Sequence, residues 1–481
     1  MANRFLDFYK MSGPSATKVK PEKIDKTYKS LRLQAFLAAT FGYSLYYVCR
    51  TTLNVVKQPI IDSGLLDAAQ LGIVSSCLLF AYAIGKFVNG FLADYSNIKK
   101  FMATGLIISA LMNFIMGVFG FTEGSLGITN FALFLSFAIM WCINGWSQSM
   151  GAPPAIISLS RWFPIKSRGT FYGFFSASHN FGEGLSFLFV GLIVSHFGWQ
   201  WGYFGASLAG VCGVILILFC MHDNPESKGL PPVEVVSGEK TQEEYDKDLA
   251  QKAADAKANK NEVGRMQKAV LRNPGVWVLA LASAFMYMSR YAINGWGMLF
   301  LQKTKGFSIE QASIIIGVNT IFGIIGTVFS GWFSDTLFKG DRKYPAFIFG
   351  VLNTIALCIF IFGGNGMFIN ILAMVLFGIA IGVLICFLGG LMAIDLVPRK
   401  ATGSALGIVG MASYLAAGLQ DVVSGQLIER FATEVPGPVV NGVAQMTKVY
   451  DFHYAAYFWI GASVISFLLP ILNWHRKKLE I

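Results

Sequence analysis

Charged residues are scarce in this chain: only 14% of its 481 positions are Asp, Glu, Lys or Arg, where soluble domains carry roughly 25%. That shortage excludes an ordinary water-soluble fold. Cysteine is no richer in information. The seven cysteines (49, 77, 142, 212, 220, 358 and 386) fall in or at the ends of apolar segments, and none forms a CxxC. Neither a disulfide framework nor a metal site is expected. The five histidines (179, 196, 222, 453 and 475) are scattered. A nucleophile elbow, HExxH, a P-loop and a dinucleotide fingerprint in its required context are all missing, so the sequence argues against an enzyme or a bound cofactor. The net charge of +11 would suit nucleic acid, but no basic patch is interleaved with exposed aromatics. The first 32 residues are polar and basic and lack the apolar core and cleavage site of a signal peptide, so they are expected to be retained.

What the chain has instead is apolar length. Of its residues, 54% are hydrophobic, and segments of about 20 apolar residues, enough to cross a bilayer, recur throughout. The pattern predicts an all-α polytopic membrane protein with twelve spans, near 33–57, 70–93, 101–121, 128–152, 168–195, 200–221, 275–301, 310–335, 345–365, 368–394, 402–428 and 453–474. The 51 glycines suit helices that approach closely in lipid. Residues 222–272 are charged and read as a linker, with a short amphipathic helix near 241–260. Thirty of the 38 lysines and arginines lie in the N-terminal segment 1–32, the linker, the tail 475–481 and the loops on that same side. The opposite loops take Lys57, Lys303, Lys305, Arg430 and Lys448. Both termini and the linker are therefore expected to be cytoplasmic.

The two halves repeat. A shift of 241 lays Gly85, Gly90 and Asp94 on Gly326, Gly331 and Asp335. A shift of 240 lays Tyr47 and Arg50 on Tyr287 and Arg290, and one of 234 lays Gly169, Gly173 and Gly184 on Gly403, Gly407 and Gly418. Two pseudo-symmetric six-helix bundles, 33–221 and 273–474, with a midplane site between them, are the predicted arrangement.

Arg50 and Arg290 stand deep in apolar segments, where a cation costs about 2.5–3.5 kcal/mol each on the insertion scale. Their planar forks suit two oxygens of a phosphate or a carboxylate. The expectation is that both face a water-filled cavity and grip one anion. The bland reading is an arginine paired with a buried carboxylate, and neither has an acid within one helical turn. Tyr43, Tyr46, Tyr47 and Tyr287 serve either as packing or as cavity lining; Tyr43, Tyr46, Tyr47 and Arg50 share helical three-four spacing. Lys86 either snorkels or acts in the cavity. His179 is either a satisfied hydrogen-bond partner or a proton-sensitive group, with Glu183 one turn away. Asp421 has no obvious local partner and either neutralises a cation across the bundle or meets a substrate hydroxyl.

The stretches GYSLYYVCR, YAIGKFVNGFLADYSN, WFPIKSRGTFYGFFSASHNFGEG, DNPESKGLPP, YMSRYAINGW and GWFSDTLFKGDRK resemble the organophosphate:phosphate antiporters of the major facilitator superfamily, across nearly the whole chain. These include hexose-phosphate and glycerol-3-phosphate transporters, hexose-phosphate sensors and eukaryotic sugar-phosphate exchangers. The resemblance implies a major facilitator fold and exchange of an organophosphate, foremost a hexose 6-phosphate such as glucose 6-phosphate, for inorganic phosphate. The alternatives are a glycerol-3-phosphate:phosphate antiporter or a membrane receptor for hexose phosphate. A monomer in a bacterial inner (plasma) membrane is expected. By the same resemblance Arg50 and Arg290 bind the phosphate, Tyr43, Tyr47 and Tyr287 line the cavity, and Lys86 and His179 contribute to binding. Asp94 and Asp335 belong to a gating loop. The departures are specific: Thr51 replaces a lysine, Gly295 an acid before the seventh-span tryptophan, and Thr320 a glutamate of the eighth span. Leu406 and Val409 stand where the hexose-phosphate transporter type carries an Asp and a Lys.

Overall fold

A computed structural model of the chain describes residues 7–122, 129–248, 251, 268–338, 341–397, 402–440 and 443–473. The first half is built from α1 (Ile24–Asp62), α2 (Ala68–Asp94), α3 (Ile98–Phe121), α4 (Asn130–Gln148), α5 (Ala152–Trp162), α6 (Ile165–Ser176), α7 (Ser178–Phe197) and α8 (Trp199–Cys220). The second half comprises α9 (Pro274–Lys303), α10 (Ile309–Leu337), α11 (Lys343–Phe362), α12 (Met367–Cys386), α13 (Thr402–Arg430) and α14 (His453–Leu468). Among the described residues, 11 helical segments are long and apolar enough to cross a membrane. Helix α1 is not one of them; it nevertheless packs as the first member of its half, against α5, α7 and α8.

Several boundaries differ from the sequence expectation for local reasons. Helix α1 starts at Ile24, nine residues before the apolar run, directly after a 3-10 turn at Pro21–Lys23. The fourth span breaks between α4 and α5, where Pro153 and Pro154 stand at the start of α5 and lack the N–H an uninterrupted helix would need. Pro164, as N-cap of α6, sets a second boundary. Between α13 and α14 the chain forms an unforeseen antiparallel hairpin, β1 (Thr433–Val440) with β2 (Val443–Val449). The intervening Asn441 and Gly442 are the residue pair that tight hairpin turns favour. Of the helix expected near 241–260, residues 242–248 are helical and most of the rest lies outside the described residues, as does the tail 475–481.

The internal repeat survives in the packing. Contacts of α1 with α7 and α8, of α2 with α4, and of α3 with α8 are matched by α9 with α13 and α14, α10 with α12, and α11 with α14. Helix starts repeat too. Asp67 and Gln70 form a capping box at α2, and Ser308 and Gln311, 241 positions on, form one at α10; each satisfies backbone N–H groups that a helix end leaves unpaired. The halves meet along α2 against α13, α7 against α10, and α1 against α9.

Near the linker, Asp223 clasps three elements. It accepts Ile98 N at 3.1 Å and Ser12 N at 2.7 Å, and pairs with Arg161 Nη1 at 2.6 Å. Neighbouring His222 Nε2 lies 3.2 Å from Gln34 Oε1, which accepts. Burial, reinforced by Lys228 and Lys99, pushes its imidazole down to about 4, so it is neutral at pH 7 and its Nε2–H donates to Gln34. The start of the linker and the N-terminal segment are thus folded onto the first half rather than merely joining elements.

The halves close tightly on the side away from the linker, hereafter the far side. There Lys303 pairs with Asp62, Ala68 N donates to Glu429 Oε2 at 3.2 Å, and Ser195 Oγ donates to Glu310 Oε1 at 3.0 Å. A Cβ on Gly425 would lie 3.1 Å from Gly72 Cα, so α2 and α13 touch backbone to backbone. Toward the linker side they diverge: open space surrounds Gly407, and a Cβ on Gly410 would meet only Lys86 Nζ, at 3.7 Å. The molecule is a wedge, sealed on the far side.

Candidate functional site

Arg50 and Arg290 come from α1 and α9, the pseudo-symmetric pair at the centre of the wedge, and are 5% and 4% exposed. Each is backed by an asparagine at equivalent positions. Asn113 Nδ2 donates to Cys49 O at 2.9 Å, and Asn353 Nδ2 donates to Ser289 Oγ at 3.1 Å. The shift of 240 that lays Arg50 on Arg290 also lays Asn113 on Asn353. These bonds anchor the residue preceding each arginine and fix the rotation of its helix.

Tyrosines link the cations. Arg50 Nη2 donates to Tyr291 Oη at 2.9 Å, and its Cζ lies 4.3 Å from the Tyr82 ring centroid and 5.5 Å from that of Tyr414. Arg290 Cζ lies 5.7 Å from the Tyr291 ring and 5.9 Å from that of Tyr287. Lys86 Nζ sits 5.2 Å from the Tyr414 ring. Tyr291 therefore joins the two arginines, and Tyr414 joins Arg50 to Lys86. Cation–π contacts of this kind contribute about 0.5–2 kcal/mol each and hold the cations in place without neutralising them.

Of the residues singled out from sequence, Arg50, Arg290, Lys86, Tyr47 and Tyr287 are brought together. Tyr47 lies 5.3 Å from Arg50 Cζ, and its ring is 5.9 Å from that of His179. Tyr43 stands one ring further out, against Tyr47 and Phe175 at 5.5 Å each. Tyr46 faces away: its hydroxyl donates to Met102 O at 2.5 Å inside the first half. Asp94 ends α2 and Asp335 lies near the end of α10; their side chains lie outside the described residues. Tyr82, Tyr291 and Tyr414 were missed. Tyr82 precedes Lys86 by four positions and Tyr291 follows Arg290 directly, so both spacings carried a signal.

Two expectations need correction, and for Asp421 one of the two open roles gains support. Arg290 does have a carboxylate partner. Glu183 Oε2 accepts its Nη2 at 3.0 Å, and Oε1 accepts Asn294 Nδ2 at 2.9 Å. The acid comes from α7 in the other half, so a search within one helical turn could not find it. Both oxygens being taken in this way, Glu183 turns to α9 and not to His179. Lys57 is not a loop residue; it is fully buried in α1 and donates to Gly295 O at 2.8 Å. Asp421 has a close partner, accepting Trp296 Nε1 at 2.9 Å, while Lys57 Nζ lies 3.9 Å from a Trp296 ring centroid. The acid absent at Gly295 is explained by volume, since a Cβ there would meet Asp421 Oδ1 at 3.0 Å. Thr320 likewise packs against α7, where a Cβ on Gly184 would meet its Oγ1 at 2.5 Å. Asp421 of α13 thus stands beside Gly295, and Glu183 of α7 directly precedes the glycine that packs on Thr320.

Among the described residues, no group of three or more His, Cys, Asp or Glu is arranged to hold a metal ion. The described groups brought together are two guanidinium forks, an ammonium and several phenol rings, with one carboxylate among them, a set whose chemistry suits the recognition of an anion.

The chain matches the sequence pattern of the Major Facilitator Superfamily over residues 39–420. It is 33% identical over 420 residues to a probable hexose phosphate transport protein of Chlamydia muridarum, covering 85% of this chain and 88% of that one. It is 31% identical over 432 residues to a glycerol-3-phosphate transporter of Haemophilus influenzae, covering 84% and 86%. Its fold also resembles the crystal structure of a bacterial homolog to the human lysosomal transporter Spinster, in an inward-facing and unoccupied conformation, with a TM-score of 0.64, 20% identity and 84% of each chain covered. On these grounds the chain belongs to the Major Facilitator Superfamily.

Proposed function

We propose that this protein exchanges an organophosphate for inorganic phosphate across a bacterial inner membrane by alternating access, with Arg50 and Arg290 clamping the phosphate. The observation that carries the reading is the chain of three cations, Arg50, Arg290 and Lys86, joined through Tyr291 and Tyr414 and balanced, among the described residues, by a single carboxylate. Such a site has an excess of positive charge, and an arginine fork matches two oxygens of a phosphoryl group. The names of the Chlamydia and Haemophilus relatives support a hexose phosphate, such as glucose 6-phosphate, with glycerol 3-phosphate as the second candidate.

The moving bodies are residues 33–221 and 273–474, joined by the cytoplasmic linker 222–272. With both termini in the cytoplasm, the wedge is the inward-open state. Tyr43, Tyr47, Tyr287 and His179 flank the substrate's path, and Asp94 and Asp335 act at the cytoplasmic gate. The reading takes the protein to act as a monomer.

The test is exchange in proteoliposomes loaded with labelled phosphate. External glucose 6-phosphate, glycerol 3-phosphate and phosphate are expected to drive label out, whereas glucose and glycerol are not. Binding of sugar phosphate without any flux makes the protein a receptor. Efflux driven equally by unphosphorylated polyols removes the phosphate clamp from the account.

A further inference from the structure

Glu183 is 4% exposed, lies between the halves and has no part in substrate choice in the reading above. Its oxygens are held by Arg290 and by Asn294, and Asn294 is itself fixed, its Oδ1 accepting Asn319 Nδ2 at 3.1 Å. This is a fastened carboxylate. It engages one terminal nitrogen of Arg290, and a guanidinium carries five N–H donors, which leaves donors for a second oxyanion.

Counting His179 as neutral, the charged groups described at the centre are three cations and one carboxylate, a net charge of +2. Lys57 and Asp421 lie together further toward the far side, share Trp296 and cancel each other. A phosphomonoester carries roughly −1.5 to −2 at pH 7 and so brings the site close to neutrality. A ligand bearing a carboxylate in addition to its phosphate overshoots, and its third charge adds to that of Glu183 in a low-dielectric interior where like charges repel strongly.

We propose that Glu183 is a specificity-determining residue that caps Arg290 and sets the site to accept dianionic phosphomonoesters while rejecting phosphorylated carboxylates. The proposal rests on the phosphate-exchange reading. It deepens that reading by assigning a substrate charge.

The experiment measures inhibition of labelled-phosphate exchange by glycerol 3-phosphate and by 3-phosphoglycerate, ligands of similar size that differ by a hydroxymethyl against a carboxylate. In the parent protein the first is expected to inhibit at a concentration at least about tenfold lower, the effect of one unscreened like-charge contact. In Glu183→Gln the preference is expected to shift by about tenfold or more toward 3-phosphoglycerate, whereas Glu183→Asp, which keeps the charge, retains the parent's preference. Equal inhibition by the two ligands in the parent overturns the proposal without recourse to any variant. So does an active Glu183→Gln protein with the parent's ratio. If phosphate itself is not exchanged by the parent, the functional reading fails and this inference falls with it; phosphate exchange with no charge preference refutes the inference alone.

Discussion

Replacing Arg50 by lysine is expected to weaken phosphate binding by about 100-fold and to reduce exchange to near background while the protein still folds. Hydrogen bonds to charged groups contribute roughly 1.5–3 kcal/mol each, so losing a two-pronged grip is worth about 3 kcal/mol, or about two orders of magnitude in affinity. Lysine keeps the charge and loses the planar fork. It also loses the stacking of the guanidinium, 4.3 Å from the Tyr82 ring. Arg290→Lys should show a similar but smaller loss, because a lysine there can still pair with Glu183, whereas Arg50 has tyrosines as its described partners. Labelled-phosphate binding to purified variants, alongside their thermal melting, separates loss of grip from loss of fold. Parent-like affinity in Arg50→Lys contradicts the clamp.

The second large effect concerns Lys57, Trp296 and Asp421. Lys57 belongs to the first half and the other two to the second, so this buried cluster fastens the far side of the wedge. Removing one partner of a buried pair leaves an uncompensated charge and costs about 3–5 kcal/mol, whereas removing both is often near neutral. Lys57→Met and Asp421→Asn are each expected to lower the melting temperature clearly, and the double variant to recover most of the loss. Losses that simply add in the double variant mean that the two charges do not sense one another through Trp296.

The placement of these charges also shows what the sequence could disclose. Apolar length, the repeat and the arginine pair are local or periodic features, so the spans and the centre of the site were legible. Glu183 and Arg290 are 107 residues apart, and which helix faces which is decided by packing that no spacing encodes. Lys57 read as a loop residue because it stands near the end of an apolar run. Its bond to Gly295 O, the Trp296 ring beside it and the nearby Asp421 carboxylate make burial tolerable. The aromatic partners Tyr82 and Tyr414, 4.6 Å apart between centroids, come from opposite halves and become neighbours only when α2 meets α13. The hairpin after α13, in contrast, carried its signal openly in Asn441 and Gly442.

Charge at the centre governs how transport is coupled. The empty site carries a net +2 among its described groups even with Glu183 in place. Closing both gates over it would remove water from unbalanced cations, at a cost that rises as the dielectric falls. On the proposed exchange, phosphate or a phosphomonoester supplies the missing charge, so the loaded protein is expected to reorient and the empty one is not. The direct measurement is efflux of preloaded labelled phosphate from proteoliposomes, with and without external sugar phosphate. The account predicts rapid efflux into sugar phosphate and slow efflux into ligand-free buffer; equally fast efflux into both contradicts it.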